Sequence, residues 1–112
     1  MYIATIVLKQ EQLLKRISAI LIECGLFDST ILDGEGIENV AGQTNPLFRE
    51  LRGLFGQELV YNRTIIVHVP EREILDDFIA LCKREKIDFA KPDVGFVMAH
   101  TCDLYYGPEV MI

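Results

Sequence analysis

The sequence predicts an α+β fold built from two similar halves. In each half an apolar run is followed by a segment of helical periodicity and then by a second apolar run. A connector of about thirty residues, Asp33 to Asn62, separates the halves and far exceeds the usual connection of ~4–6 residues. The whole chain has 112 residues, which is the size of one domain. We therefore expect a single domain, residues 1–112, in which the halves form a scaffold and the connector provides specificity.

The first half begins with a strand and continues into an amphipathic helix. Residues Tyr2 to Leu8 are apolar or β-branched on both alternating faces, as in a strand that is covered on both sides. From Glu11 to Cys24 the apolar residues recur at helical spacing, and they are Leu13, Leu14, Ile17, Ile20, Leu21 and Cys24. Gly25 follows at the position where helices often end with a left-handed residue. Ser29 to Leu32 has the composition of a second strand.

The connector combines a glycine turn with a segment that carries helix signals. It starts at Asp33-Gly34-Glu35-Gly36, and its run from Asn45 to Gly56 opens with a cap-and-proline signal and closes with glycine. A short helix there would place five apolar residues on one face: Leu47, Phe48, Leu51, Leu54 and Phe55. Arg49 and Arg52 would lie on another face. Two interpretations of the apolar face stay open, namely packing on its own subunit or contact with a neighbour or partner.

The second half repeats the plan of the first. Arg63 to Val69 has the composition of a strand with two largely apolar faces. Glu71 and Glu73 are expected in the first turn of the next helix, whose predicted buried residues are Ile74, Leu75, Phe78, Leu81 and Cys82. The last strand is predicted from Gly95 to Cys102. The tail from Asp103 to Ile112 is too apolar to extend freely into water, so we expect it to dock or to exchange between subunits.

Right-handed crossovers turn two such halves into a ferredoxin-like βαββαβ fold, in which a four-stranded antiparallel sheet carries both helices on one face. The predicted strands are apolar on both faces, but two helices can cover only one of them. We therefore expect neighbouring copies of the chain to bury the other face. This would hide the surplus apolar surface of a chain that is 50% hydrophobic.

Composition argues against several classes of partner and site. The net charge of −6 disfavours nucleic acid, because binding to phosphates relies on clustered Lys and Arg. No apolar run approaches the ~20 residues of a membrane span, so we expect a protein that is not inserted in a membrane. Cys24, Cys82 and Cys102 lie far apart without C-x-x-C spacing. This predicts neither a disulfide framework nor a zinc knuckle, and it favours the reducing cytoplasm.

Residues that could carry chemistry are few. Asp76 and Asp77 diverge by ~100° on a helix, and no nucleophile signature is present, so we do not expect an enzyme. His100 and Cys102 share one side of a predicted strand, and His68 lies in another strand. These three are weak candidates for metal ligands, and buried side chains near the sheet surface are the simpler interpretation.

The glycine pair Gly34-x-Gly36 follows a strand but lacks the third glycine of a dinucleotide motif. It either permits a sharp turn or lets a ligand approach the backbone closely. Together with the long connector and the run Val67-His68-Val69-Pro70-Glu71, the pair makes the chain resemble the PII signalling superfamily. The resemblance spans most of the chain, including Ile6 to Gly25. The helix signals in the connector resemble the PII-like branch more than the nitrogen regulators themselves.

The resemblance implies a trimer whose sheets face inward, with nucleotides bound in clefts between subunits. It implies that the connector, residues 33–62, is a T-loop that contacts a regulated transporter or enzyme. Gly34 and Gly36 would lie at the base of this loop near the phosphates. We add Arg63 and Lys91 as cationic candidates for binding the ligand.

Two segments depart from the superfamily. Its glycine-rich phosphate-binding segment corresponds here to Ile87 to Gly95, and its arginines after the last strand correspond to Asp103 to Tyr106. The chain thus resembles a divergent branch that lacks the usual ATP-binding motifs, and the ligand and any cofactor are left open. The alternative is a metal-tolerance trimer of the CutA kind, which shares the scaffold and would use His68, His100 and Cys102.

Overall fold

The computed structural model describes residues 1–37 and 62–109. These residues form the elements β1 (Tyr2–Leu8), α1 (Glu11–Glu23), β2 (Ser29–Asp33), β3 (Arg63–Val69), α2 (Arg72–Arg84) and β4 (Gly95–Thr101). The order βαββαβ is the predicted one, and the boundaries differ from the predicted ones by one or two residues. The short helix predicted between Asn45 and Gly56 lies outside the described residues. No helix within the described ranges is long and apolar enough to cross a membrane.

The four strands form one antiparallel sheet with the order β2-β3-β1-β4. The central strand β1 pairs with β3 from Tyr2–Val69 to Leu8–Arg63, and with β4 from Tyr2–Thr101 to Leu8–Gly95. The shorter strand β2 pairs only with β3 and is one edge of the sheet, and β4 is the other edge. This order is the ferredoxin-like arrangement that the sequence predicts.

Both helices cover the same face of the sheet. The inward residues of the two central strands are at most 2% exposed, and they are Ala4, Ile6, Leu8, Ile65, Val67 and Val69. They pack against the buried residues of the helices, which are Leu13, Ile17, Ile20, Leu21, Leu75, Phe78 and Cys82. Each large apolar side chain buried in this way contributes about 1.5–3 kcal/mol to folding. The predicted buried residues of both helices are therefore confirmed, with Leu14, Cys24, Ile74 and Leu81 at the margin of the core.

The opposite face of the sheet carries apolar side chains that neither α1 nor α2 covers. We call it the open face, and its large apolar residues are Ile3, Val7, Leu32, Ile66, Phe96 and Met98. Four of them remain substantially exposed: Ile66 (37%), Phe96 (41%), Leu32 (46%) and Met98 (55%). The prediction that the strands are apolar on both faces is thus confirmed. A contiguous apolar surface of this kind marks an interaction site in a soluble chain.

The segment after β4 folds back over one end of the open face. The Cys102 N–H donates to the carbonyl of Met1 at 3.0 Å, which ties the segment to the start of β1. The Tyr105 ring then contacts the ring of His68 on β3, edge to face, with 5.2 Å between ring centroids. Since β1 lies between β4 and β3, the segment crosses β1. Part of the expected tail docking is therefore observed within the chain itself, and residues 110–112 lie outside the described residues.

The helix ends confirm one sequence prediction and correct another. Gly25 has φ = 80°, and the Leu26 N–H donates to the carbonyl of Leu21, so α1 ends in the predicted left-handed cap. Glu71 was expected in the first turn of α2, but it is the N-cap residue and Arg72 is the first helical residue. Its backbone is still extended, as is usual for an N-cap residue.

The thiol of Cys82 faces the core between the helices. Burial raises its pKa from the ordinary value of 9.0 to about 11, and the nearby Cys24 adds to this shift. The folded chain therefore retains a proton that the unfolded chain loses above pH 9. Stability from this group is fully present below pH 9 and is lost as the pH rises toward about 11.

This titration can be measured through the Cys82→Ala variant. We expect the difference in unfolding free energy between the native chain and this variant to shrink by about 2–3 kcal/mol between pH 8 and pH 11. Urea unfolding at a series of pH values measures it. Cys102→Ala is the matched control, because Cys102 lies outside the core. A difference that stays constant across this range would contradict the stated burial of the thiol.

Candidate functional site

The ligand-binding candidates lie at one end of the sheet. Asp33, Arg63, Leu8 and Gly95 pair in sequence across all four strands there, and we call them the terminal row. The connector leaves the sheet at Asp33 and returns at Arg63, while the segment before β4 arrives at Gly95. The strand order therefore brings the glycine turn, the cationic Arg63 and the region of Lys91 to the same edge of the fold.

The two ends of the connector are held together at what we call the loop base, formed by Asp33, Gly34, Asn62 and Arg63. The Gly34 N–H donates to the carbonyl of Asn62 at 2.8 Å and extends the β2–β3 ladder by one step. Arg63 and Asp33 form an ion pair between their side chains, which are 35% and 80% exposed. A pair this accessible to solvent contributes less than about 1 kcal/mol to stability. Its main effect is to orient the Arg63 guanidinium at the base of the connector.

Gly34 is needed for a close approach between the two chain segments. A Cβ atom at this position would lie 2.7 Å from Asn62 Oδ1 and 3.0 Å from its Cγ. The φ angle of Gly34 is not positive, so the residue does not serve a left-handed turn. The same Asn62 oxygen accepts a hydrogen bond from the Thr64 hydroxyl at 3.5 Å. The structure therefore shows the Asn62 side chain close to Gly34, and the close approach of a ligand to this backbone stays a prediction. Gly36 lies two residues further on and is half-buried.

The segment before β4 is tied to the junction between β1 and α1. The Lys9 N–H donates to the carbonyl of Val94, and the Gln10 side-chain amide donates to the carbonyl of Asp93, both at 3.0 Å. Gly95 has φ = 135°, and a Cβ atom there would lie 1.9 Å from the carbonyl oxygen of Val7. Only glycine fits this position. These contacts hold the segment's backbone at the terminal row.

Lys91 lies in this segment with its side chain exposed. Its N–H donates to the Asp88 carbonyl at 3.2 Å, within a turn in which the Asp88 carboxylate accepts from the Ala90 N–H. The strand that follows Lys91 is β4, which lies two strand spacings, or ~10 Å, from the strand of Arg63. Gly34 and Arg63 thus share the loop base, whereas Lys91 stands at the other side of the same end.

The metal-ligand candidates are not brought together. His68 and His100 both pair with Ile3, on opposite sides of it, so about 10 Å separates their strands. The Cys102 thiol donates to the carbonyl of Leu104 at 3.1 Å. Within residues 1–37 and 62–109, no group of three or more His, Cys, Asp or Glu is placed to hold a metal ion. Among the residues that the structure describes, buried His68 Nδ1 beneath the folded-back segment has no hydrogen-bond partner.

Sequence reasoning missed three residues of this region. Asn62 contacts Gly34, Asp33 pairs with Arg63, and Gln10 anchors the segment before β4. The adjacency of Asn62 and Arg63 at the start of a predicted strand was a signal for the loop base. Nothing in the sequence signals the contact of Gln10, because 83 residues separate it from Asp93.

The strand order, the helices on one face and the long β2–β3 connector define a PII-like fold. Among the solved structures to which the chain is similar is that of B. subtilis GlnK, a PII-family protein, in a complex with ATP. The TM-score is 0.50 at 17% sequence identity, and the match covers 88% of this chain and 78% of the GlnK chain. The sequence matches no protein-family model and no curated protein. At this identity the similarity shows the fold.

The contact between Gly34 and Asn62 can be measured with a double-mutant cycle. We expect Gly34→Ala to destabilise the chain by about 1 kcal/mol, because the new methyl group displaces the Asn62 side chain. In an Asn62→Ala background the same change should cost less, since the clashing oxygen is gone. Urea unfolding of the four proteins gives the coupling free energy. Strictly additive effects would show that the two residues are not in contact.

Proposed function

We propose that the chain is a PII-like regulatory protein: a trimer that senses a small ligand in clefts between its subunits and regulates a transporter or an enzyme through its T-loop-like connector. The observation that carries this proposal is the loop base, where both ends of the connector are bonded together at the end of a PII-like sheet. A ligand bound there can act on the connector directly. We propose the cytoplasm as the compartment, and we assign the chain a regulatory rather than a catalytic role.

The apolar open face supports the trimer. Ile66, Phe96 and Met98 are between 37% and 55% exposed in the single chain, although they lie on the central part of the sheet or on its β4 edge. Each Å² of this apolar surface that a neighbour buries would stabilise the assembly by about 25 cal/mol. Copies that pack sheet against sheet would bury this surface and create the clefts at their margins.

The terminal row supports an anionic ligand. Arg63 and Lys91 are the proposed cationic contacts, Gly34 is exposed beside Arg63, and Gly36 is proposed as a further contact. A phosphate or carboxylate that reaches the Arg63 guanidinium would compete with Asp33 for it. Exchange of this ion pair would change the loop base, so the ligand would favour one arrangement of the connector over another. The ligand would thereby act through a difference in affinity for the two arrangements.

The chain represents, in this proposal, a divergent branch in which ATP is not bound in the usual way. Its segment before β4 carries Lys91 and Gly95 as stand-ins for a glycine-rich phosphate-binding segment. The backbone of Gly95 already contacts the carbonyl of Val7. We therefore propose Lys91 as the ligand contact in this segment. GlnK was solved as an ATP complex, so adenine nucleotides are the first ligands to test.

A thermal-shift panel tests the ligand. It contains adenine nucleotides, cyclic dinucleotides, bicarbonate and divalent metal ions. We expect an anionic ligand to stabilise the protein by about 2.7 kcal/mol at a hundredfold excess over its Kd. Arg63→Ala and Lys91→Ala should remove most of the shift. Lys15→Ala is the matched control, because Lys15 is an exposed cation on α1. A shift produced only by Cu²⁺ or Zn²⁺ would favour the metal-binding alternative.

Light scattering tests the assembly. We expect a mass of three times the 12.7 kDa chain at micromolar concentration. Met98→Asp should shift the population toward smaller species, because it places a charge in the apolar open face. Lys83→Asp, on the outer surface of α2, is the control and should leave the mass unchanged. A monodisperse monomer for the native chain would refute the trimer.

A further inference from the structure

The folded-back segment, residues 102–109, is held in one arrangement by its own contacts. The Tyr105 hydroxyl donates to the carbonyl of Pro108, and the Tyr105 ring contacts His68 of the sheet. A Cβ atom at Gly107 would lie 2.9 Å from Tyr105 Oη and 3.0 Å from its Cζ, so a residue without a side chain lets the backbone pass this ring. These contacts set which side chains of the segment face the sheet and which are left outside.

The segment buries one large side chain and leaves two others in water. Tyr105 contacts the sheet, whereas its neighbours Leu104 and Tyr106 are 84% and 101% exposed in the single chain. We call Leu104 and Tyr106 the exposed pair. A large aromatic side chain buries about 150–250 Å² when it is covered, so the exposed pair offers on the order of 350 Å² to a partner. An ordered segment that presents such side chains marks an interaction site.

The exposed pair continues the open face. The row of His68, Ile3 and His100 lies at the end of the sheet that the segment covers, and the next row of the open face follows two residues along each strand, ~7 Å away. That row contains Ile66 and Met98, which are 37% and 55% exposed. The segment thus forms a raised apolar edge beside the accessible part of the open face.

The exposed pair brings the apolar surface close to the size that a stable contact needs. The four exposed residues of the open face are each between 37% and 55% exposed, and together they offer an area on the order of that of the exposed pair. Both surfaces combined approach the ~800 Å² per partner of a standard interface, and the open face alone provides about half of it. A neighbour that contacts both surfaces is therefore favoured over one that contacts the open face alone.

A second copy of the chain offers the matching surface. Each copy carries the exposed pair at one end of its open face and the accessible rows beside it, so the pair of one copy can pack on the rows of the next. Such a contact joins two different patches of the same chain. Contacts of this heterologous kind form rings when the rotation between copies closes. A ring of three copies is the assembly of the proposed function.

We propose that Leu104 and Tyr106 of one copy pack on the open face of a neighbouring copy, against the row that contains Ile66 and Met98. This inference rests on the proposed function and deepens it, because it names the residues by which one copy recognises the next. The folded-back segment then fixes how neighbouring copies are placed. Tyr105 is a positioning residue in this contact, since it holds the exposed pair above the end of the sheet.

A photo-cross-linker at position 106 tests the contact directly. Isotopically labelled and unlabelled chains of the Tyr106→p-benzoylphenylalanine variant are mixed and irradiated at micromolar concentration. We expect covalent dimers that join labelled to unlabelled chains, with the cross-link at Met98 or Ile66, as mapped by mass spectrometry. The same substitution at Phe27, an exposed aromatic residue in the turn between α1 and β2, is the control and should give no such dimers.

Removal of the exposed pair tests its contribution to assembly. Leu104→Ser with Tyr106→Ser should raise the concentration at which half of the assembly dissociates by at least about a hundredfold, because the burial of both residues is lost. Light scattering on a dilution series measures this concentration. The single chain should still fold, since both side chains are in water there. Ile22→Ser with Phe27→Ser is the matched control, because it removes exposed apolar surface away from the open face, and it should leave the assembly unchanged.

Failure of this contact is distinguishable from failure of the trimer. A native trimer whose dissociation is unchanged by Leu104→Ser with Tyr106→Ser would overturn the inference and leave the trimer and its ligand clefts in place. Cross-links confined to one chain, or attached outside the open face, would also overturn it. Cross-links to a different protein in a cell lysate, without any to a second copy, would assign the exposed pair to that partner instead. A native chain that is monomeric at every concentration would refute the trimer together with this contact.

Discussion

The structure depends on one constraint: the sheet has two apolar faces, and the helices among residues 1–37 and 62–109 cover one of them. Neighbouring residues on β1 show it directly, since Ile6 is buried under the helices while Val7 points to the open face. The helix side is closed by apolar side chains from both helices. Among the described residues, the folded-back segment covers one end of the open face. The proposed association between copies rests on this imbalance, and the proposed ligand clefts between subunits rest on that association.

The candidate site combines a rigid backbone with accessible side chains. Main-chain bonds fix the loop base at Gly34 and the segment before β4 at Val94, so both are continuations of the sheet. Arg63 extends from β3, and the exposed Lys91 lies in the segment before β4. Binding sites built on strand ends keep their geometry when the attached loop moves. In the proposed function, the groups that would contact a ligand would therefore stay in place whichever arrangement the connector takes.

Periodicity predicted most of the fold because burial in a small sheet-and-helix domain requires it. The buried residues of each helix, such as Ile17 on α1 and Phe78 on α2, recur at helical spacing in the sequence. The buried residues of β3 recur at every second position. The site was harder to predict from the sequence. Contacts such as that of Gly34 with Asn62 depend on how the two ends of the connector come together. The separation of His68 from His100 follows from the strand order, which inserts β1 between them. Sequence spacing carries no such information for residues on different strands.

The folded-back segment restricts how copies can meet on the open face. Tyr105 covers His68, so the end of the sheet where His68, Ile3 and His100 align is already occupied by the chain itself. Two further rows of the open face stay accessible. The first consists of Thr30, Ile66, Thr5 and Met98, and the second consists of Leu32, Thr64, Val7 and Phe96. The second of these rows is the one nearer to the loop base. Copies that pack on these rows would be in contact close to the connector, so burial of the open face and the arrangement of the connector would be coupled through the same end of the sheet.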